Sequence, residues 1–254
     1  MYNYFMNQKV IVCDLDGTLA PSKASLEKSM ADVLCKVLEK HKLAVISGGA
    51  YKQFQKQFLT HLECDGEKLQ NLYLFPTNGS GCYIFDKEKN DWISLYEENL
   101  TEEERKEIFS AFEKAIKESD VDVSDPYGIL IEDRGGQVTF SGRGQEAPLD
   151  VKQKWDPDQE KRKKIVEILK REIPEFEVRI GGATSVDVTG KGITKAYAIR
   201  KIEELLKIGK EDIVFLGDAL FPGGNDSSAK ETGVECISVS GPEEAEKILL
   251  SYVV

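Results

Sequence analysis

Histidine is almost missing from this sequence: His41 and His61 are the only two in 254 residues. Each falls near the end of a predicted helix, where histidine usually caps the helix or faces solvent. That scarcity argues against a histidine-based triad and against hydrolysis at a histidine-bound zinc. The five cysteines, at 13, 35, 64, 82 and 236, are scattered, odd in number and never spaced as CxxC. They favour neither a disulfide framework nor a structural zinc site, and Cys13 and Cys236, inside strand-like runs, read as small core residues. No apolar run approaches the ~20 residues needed to cross a bilayer. The opening residues, MYNYFMNQ, lack both a basic stretch and an apolar core, so no secretory signal is expected. Positive charge is short too: 34 Lys and Arg stand against 45 Asp and Glu, a formal net charge of −11. An acidic surface repels a nucleic-acid backbone and an anionic membrane, so neither is expected as a main partner. A soluble, cytoplasmic protein is the expectation. Any catalysis has carboxylates, lysine and a metal ion to draw on.

What the sequence does contain begins with KVIVCDLDGTLAP, residues 9–21. Val10 to Cys13 is apolar, rich in β-branched residues and too short for a helix, and an unbroken apolar run fits a strand covered on both faces. Side chains alternate along a strand, so Asp14 and Asp16 are expected on one side and Leu15 on the other. Gly17 interrupts the strand, and Thr18 suits a following turn. Two carboxylates then stand at the carboxyl end of a parallel strand, where open α/β sheets bind ligands. As a calcium loop the stretch fails, because its fifth position lacks Asp or Asn and its twelfth is Ser25. Taken alone, Asp-Gly after a strand is commonly just a polar turn.

Leu26, Met30, Leu34, Val37 and Leu38 recur at helical spacing. A strand over 43–46, the loop Ser47-Gly48-Gly49, a helix carrying Phe54, Phe58 and Leu62, and a strand over 72–75 follow. Such alternation predicts a parallel sheet. The middle reads differently, with a hairpin over 82–96 and a Thr101–Glu104 capping box opening a helix. Strands over 128–132 and 137–141 come next, then a long irregular stretch, GRGQEAPLDVKQKWDPD, a helix, and strands over 176–180 and 184–188. From Thr194 the α/β alternation resumes. The predicted fold is α/β: a doubly wound, Rossmann-like parallel sheet in residues 1–82 and 184–254, with an inserted α+β cap over 83–183.

A second strand-like run, IVFLG, ends at Asp218, with Asp226 eight residues later beyond a glycine-rich turn. Parallel strands would bring Asp218 beside Asp14, and carboxylates gathered without a counter-charge raise one another's pKa and destabilise the fold. A divalent cation relieves this, and an all-oxygen set suits Mg²⁺. Ser47-Gly48-Gly49, between a strand and a helix, offers a hydroxyl and backbone N–H groups to a phosphate. Lys191 and Lys195, near the start of another predicted helix, offer it a cation. Singly these are weak signals. In the order Asp-x-Asp, Ser, Lys, Asp, each at the end of an α/β element, they form a strong set.

Together, DLDGTLAP, ISGG, GITK and LGDALFPGGND resemble the haloacid dehalogenase-like phosphohydrolase superfamily, over essentially the whole chain. The branch is the one whose α/β cap lies between the second and third motifs. This resemblance implies that Asp14 is the nucleophile, taking the phosphoryl group as an aspartyl-phosphate. Asp16 would be the acid for the leaving oxygen, then the base for the acceptor. Ser47 with Gly48, and Lys195, would hold the phosphoryl oxygens. Asp14, the backbone carbonyl of Asp16, and Asp218 would bind Mg²⁺, with Asp226 in support. Lys191 fits the pattern less well than Lys195.

Within that branch, RGGQVTFSGRGQ, TSVDV followed by GITKAY, and GDALFPGGND are most similar to the eukaryotic-type α-phosphomannomutases. Those enzymes hold a sugar and its distal phosphate with arginines, mostly on the cap, plus a serine and an aspartate. Arg134, Ser185 and Asp187 match that pattern. Lys23, Gln145 and Lys152 stand where the family has arginine, and Arg143 is the nearest candidate to compensate. Arginine grips phosphate with a fork of donors and lysine does not. A mutase must rebind a bisphosphate in two orientations and exclude water. These departures therefore lean toward a Mg²⁺-dependent phosphatase of small phosphorylated sugars, with phosphomannomutase as the alternative. A non-catalytic receiver-like phosphoacceptor is a distant third, at odds with the large insert. Mutase relatives pair through their caps, which leaves a homodimer open.

Overall fold

Val10–Asp14 form the first strand, β1, with every residue buried. The structure, a computed structural model, describes residues 10–22 and 24–253, so the MYNYFMNQ stretch and Lys23 lie outside the described residues. After β1 come α1 (Lys28–Lys40), β2 (Lys42–Ile46), α2 (Tyr51–Gln57), a short α3 (Gly66–Leu69) and β3 (Leu72–Phe75). The hairpin β4 (Gly81–Asp86) and β5 (Asp91–Glu97) follows. Next stand α4 (Glu102–Ser119), β6 (Ile131–Asp133), β7 (Gln137–Ser141), α5 (Leu149–Trp155), α6 (Glu160–Glu172), β8 (Phe176–Ile180) and β9 (Ser185–Gly190). The chain ends with α7 (Lys195–Leu206), β10 (Ile213–Gly217), β11 (Glu235–Ser238) and α8 (Pro242–Ser251).

Two compact units result: one joins the chain up to Glu97 with the part from Thr194 onward, and the other is Glu98–Ile193. The first unit, the core, holds a seven-stranded sheet in the order β11-β10-β1-β2-β3-β4-β5. Its strands run parallel from β11 to β3, and the hairpin adds two antiparallel strands at one edge. Alternate residues of β1 serve opposite faces, as a doubly wound sheet requires. Ile11 and Cys13 pack with Met30, Leu34 and Leu249, whereas Val10 and Val12 pack with Ala198, Ile199 and Ile202. Each valine, leucine, isoleucine or methionine among them contributes about 1.5–3 kcal/mol when fully buried. A one-residue slip of β1 would exchange its two faces and disturb both packings at once.

The second unit, the cap, is a four-stranded antiparallel sheet in the order β6-β7-β9-β8. Val138, Phe140, Val178, Val186 and Val188 form one core cluster with Ile108 and Phe112 of α4 and Ile165 and Leu169 of α6. The alternate residues of β7 and β9 (Gln137, Thr139, Ser141, Ser185, Asp187 and Thr189) are polar yet buried, and make the other face. The capping box forms as expected: Glu104 N–H donates to Thr101 Oγ1 at 3.2 Å, and Thr101 N–H to Glu104 Oε2 at 2.7 Å.

Three expectations need correction. The insert spans 98–193 rather than 83–183, because β4 pairs with β3 of the core sheet while β9 pairs with β7 and β8 of the cap. Alternating patterns announce strands but not which sheet will take them. The stretch expected to be irregular contains α5, whose short sequence shows little apolar periodicity; it starts after Pro148 and ends on the buried Trp155. Gly142 makes room for that indole, since a Cβ there would lie 2.0 Å from Trp155 Cη2. Finally, Cys35 and Cys64 form a disulfide, a pairing that 29 residues of separation without a motif did not signal. His41 does end α1, with Nε2 3.1 Å from the Tyr252 carbonyl oxygen. Among the described residues no helix is long and apolar enough to cross a membrane.

Candidate active site

Register sets the site. Asp14 is level with Ile46 on β2, and Cys13 with Leu216 on β10. The carboxyl ends of three adjacent parallel strands therefore deliver Asp14, Ser47 and Asp218 to one edge of the core sheet, where such sheets bind ligands. Asp14 is 2% exposed and Asp226 is fully buried. One carboxylate oxygen from each of Asp14, Asp218 and Asp226 falls within 4.8 Å of the others. Lys195, the first residue of α7, inserts a fully buried ammonium that donates to Asp14 Oδ1 and Asp226 Oδ1. The second oxygen of Asp14, Oδ2, is buried and has no hydrogen-bond partner.

Burial and charge compete here. Burial pushes Asp14 well above the ordinary carboxylate range; Lys195 pulls it down, and Asp226 and Asp218 push it up again. Asp218 is raised as well, first by burial and then by Asp226. Burial alone would lower Lys195, but Asp14 and Asp226 outweigh it and keep the ammonium charged. Three carboxylates thus face one cation.

Loop chemistry fixes the rest. Gly17 adopts φ +93°, and a Cβ there would stand 2.6 Å from Asp218 Oδ2, so only glycine lets β1 turn away beneath Asp218. Thr18 links the two strand ends: its Oγ1 accepts from Asp218 N–H at 3.0 Å and lies 3.4 Å from Asp218 Oδ1. Asp226 Oδ2 accepts from Ala219 N–H at 2.9 Å, so both of its oxygens are engaged within the protein. The Ser47 hydroxyl accepts from Gly49 N–H at 3.0 Å and lies 3.4 Å from Asp16 Oδ2. Gly49 N–H is therefore already used within the loop and is taken from the expected cradle. The Asp16 carboxylate stands apart from the acid cluster, among Ser47, Gln53 and Gln57. Neither glutamine was singled out from the sequence; the only available signal was their four-residue spacing on a helix just after Ser-Gly-Gly. Lys191 donates to the Pro174 carbonyl at 2.9 Å, within the cap.

On the cap, the polar sheet face gathers most of the matched residues. Arg134, with its side chain 8% exposed, donates to Glu132 Oε2 at 2.7 Å and to Gln145 Oε1 at 3.2 Å. Gln145 donates to the Thr139 carbonyl at 3.2 Å and accepts Lys152 Nζ on its own carbonyl at 2.9 Å. Asp187 accepts from Thr139 Oγ1 at 2.8 Å, and Ser185 is level with Ser141. Arg143 is not among them: its guanidinium donates to the Ser124 and Asp125 carbonyls, at 2.8 and 3.4 Å. The expected substitute for a missing arginine is thus committed to tying down a loop.

Known proteins resemble this chain along its length. A model of the family described as eukaryotic phosphomannomutase matches residues 30–253. The phosphomannomutase of Saccharomyces cerevisiae is 27% identical over 248 residues, 95% of this chain and 93% of that protein. That of Encephalitozoon cuniculi is 26% identical, covering 92% of this chain and 90% of its own. In fold, a haloacid dehalogenase-like hydrolase from Bacteroides thetaiotaomicron superposes with a TM-score of 0.61 at 16% identity, over 96% of this chain and 98% of that one. The IMP-nucleotidase of Plasmodium falciparum superposes at 0.73 and 17% identity, over 98% and 69%. With its acid cluster, buried lysine and inserted cap on a haloacid dehalogenase-like fold, the chain belongs to the eukaryotic phosphomannomutase family.

Proposed function

We propose that the enzyme carries phosphate on Asp14 and returns it to a hexose phosphate, as a phosphomannomutase does. The observation that carries this reading is Asp14 Oδ2, a buried carboxylate oxygen with no hydrogen-bond partner, on a side chain whose other oxygen is held by Lys195. Buried polar atoms are nearly always satisfied, so an unsatisfied one beside a fixed cation is poised for a phosphorus atom or a metal. The site also fits Mg²⁺, because its donors are all oxygen and its carboxylates outnumber its ammonium. Asp14, Asp218 and the Asp16 backbone carbonyl would hold the ion, with Asp226 supporting them. When bound, it would neutralise charge on the transferring phosphoryl group. Asp16, outside the cluster, would handle the proton of the sugar or acceptor oxygen. Arg134, Ser185 and Asp187 support recognition of the sugar and its distal phosphate.

The sequence leaned toward hydrolysis, whereas the relatives that match nearly the whole chain are phosphomannomutases and favour the mutase. One observation keeps hydrolysis as the second reading: Arg134 meets the Gln145 amide where the family supplies another guanidinium. Mannose 1-phosphate with a hexose bisphosphate and Mg²⁺ decides between them, with Asp14→Asn as blank. Mannose 6-phosphate forming faster than free phosphate supports the mutase. Free phosphate alone supports the hydrolase, and Gln145→Arg should then shift the ratio toward isomerisation by about tenfold, the size of one added charge-assisted hydrogen bond. No activity above the blank would sink both readings.

A further inference from the structure

Two amides hold Asp16 from behind. Gln57 Nε2 donates to Asp16 Oδ1 at 3.1 Å, and Gln53 Nε2 lies 3.4 Å from Asp16 Oδ2. Gln53 Nε2 also donates to Gln57 Oε1 at 2.9 Å. Four residues apart on α2, the two glutamines share one helix face. With Gln57 Oε1 occupied by Gln53, the amide group left to face the carboxylate is the NH₂, a donor. Gln57 is only 4% exposed, and its backbone carbonyl accepts Leu26 N–H at 2.9 Å, so side chain and main chain are both fixed. Gln53 folds back over Gly49, where a Cβ would come within 2.5 Å of Gln53 Oε1. The loop that presents Ser47 is thus shaped to admit the clamp.

We propose that Gln57, seconded by Gln53, is a positioning residue that fixes the Asp16 carboxyl on the line of proton transfer. The proposal rests on the reading of Asp16 as acid and base. In the first step an Asp14 carboxylate oxygen attacks phosphorus, the P–O bond to the sugar breaks, and the sugar oxygen takes a proton from Asp16. In the second the acceptor hydroxyl oxygen attacks the aspartyl-phosphate, its proton passes to Asp16, and the acyl P–O bond breaks to return the Asp14 carboxylate. A positioned acid contributes about 10²–10⁴-fold to such a step, but only where the leaving oxygen needs a proton. A glutamine serving only to pack α2 would slow every substrate alike; a positioning glutamine discriminates by leaving group.

The test is single-turnover phosphorylation of the enzyme, with Mg²⁺, from mannose 6-phosphate and from 2,4-dinitrophenyl phosphate, whose phenolate departs unprotonated. Gln57→Met keeps the side chain's length and removes its donors. It should slow transfer from the sugar phosphate by about tenfold to a hundredfold while changing the dinitrophenyl rate less than about threefold. Equal slowing of both substrates, or of neither, overturns the proposal. Asp16→Asn separates the two layers of the argument. If it lacks the same selectivity, the acid–base reading fails and the positioning role falls with it. If it is selective and Gln57→Met is not, the positioning role alone is lost. Should Gln57→Met fail to fold, the half-buried Gln53 decides: a selective several-fold loss in Gln53→Met supports the clamp, and no selective loss overturns it.

Discussion

Each unit of the protein buries charge, and the two do so in opposite ways. In the cap, Asp156 and Arg162 have side chains 0% and 4% exposed, and every bond is closed. Arg162 Nε and backbone N–H donate to Asp156 Oδ2 at 2.8 and 3.1 Å, and Lys161 N–H donates to Asp156 Oδ1 at 3.0 Å. The remaining guanidinium donors reach the Asp156 and Gly182 carbonyls. In the core, three carboxylates share one ammonium, and Asp14 Oδ2 has no partner. A neutral, saturated pair is scaffolding that holds a turn against a strand end. An anionic, unsaturated cluster costs stability that only a ligand can return. Completeness of bonding, rather than burial itself, separates structure from site.

The comparison can be broken at either end. Asp14→Asn, which removes the proposed nucleophile, should cut phosphoryl transfer at least about a thousandfold in a single-turnover assay. The same change relieves repulsion, so its metal-free melting temperature should rise; a fall would show the cluster to be scaffolding after all. Arg162→Met should lower stability to urea by about 3–5 kcal/mol by stranding Asp156, yet leave phosphorylation of Asp14 by acetyl phosphate unchanged. Adding Asp156→Leu to Arg162→Met should recover part of that loss.

Smaller effects sharpen it. Mg²⁺ at a hundred times its Kd should stabilise the native protein by about 2.7 kcal/mol, and Asp218→Asn should abolish the gain while Arg162→Met keeps it. Smallest is an acid limb belonging to the cap. Burial alone would raise Asp156, but Arg162 and two backbone N–H groups outweigh it and lower its pKa below the ordinary 3.8. A depressed carboxyl stabilises the fold above that ordinary value and loses the contribution as pH falls through the depressed one. Urea titrations below pH 4 should show this loss in the native protein and not in the Arg162→Met/Asp156→Leu pair.

Much of this was legible because its signals are local. The apolar run before Asp14, the capping box at Thr101 and the glycine-rich turn before Asp226 each encode their own geometry within a few residues. Their order along the chain then placed Asp14, Ser47, Lys195 and Asp218 at one sheet edge. What escaped was decided by partners distant in sequence. The hairpin's membership in the core sheet and the Cys35–Cys64 bond have no local signature. Arg143 could be named but not aimed, since its carbonyl partners, Ser124 and Asp125, lie 19 and 18 residues away. Gln57 carries no chemistry of its own until Asp16 is brought against it.

One bond described above has a temporal meaning. Thr18 and Asp218 are joined across 200 residues of chain, through strands that lie side by side. During synthesis Thr18 is therefore made 200 residues before Asp218. Such distant parallel pairing is among the slower events in folding. A growing or prematurely terminated chain consequently carries Asp14 without the assembled acid cluster around it.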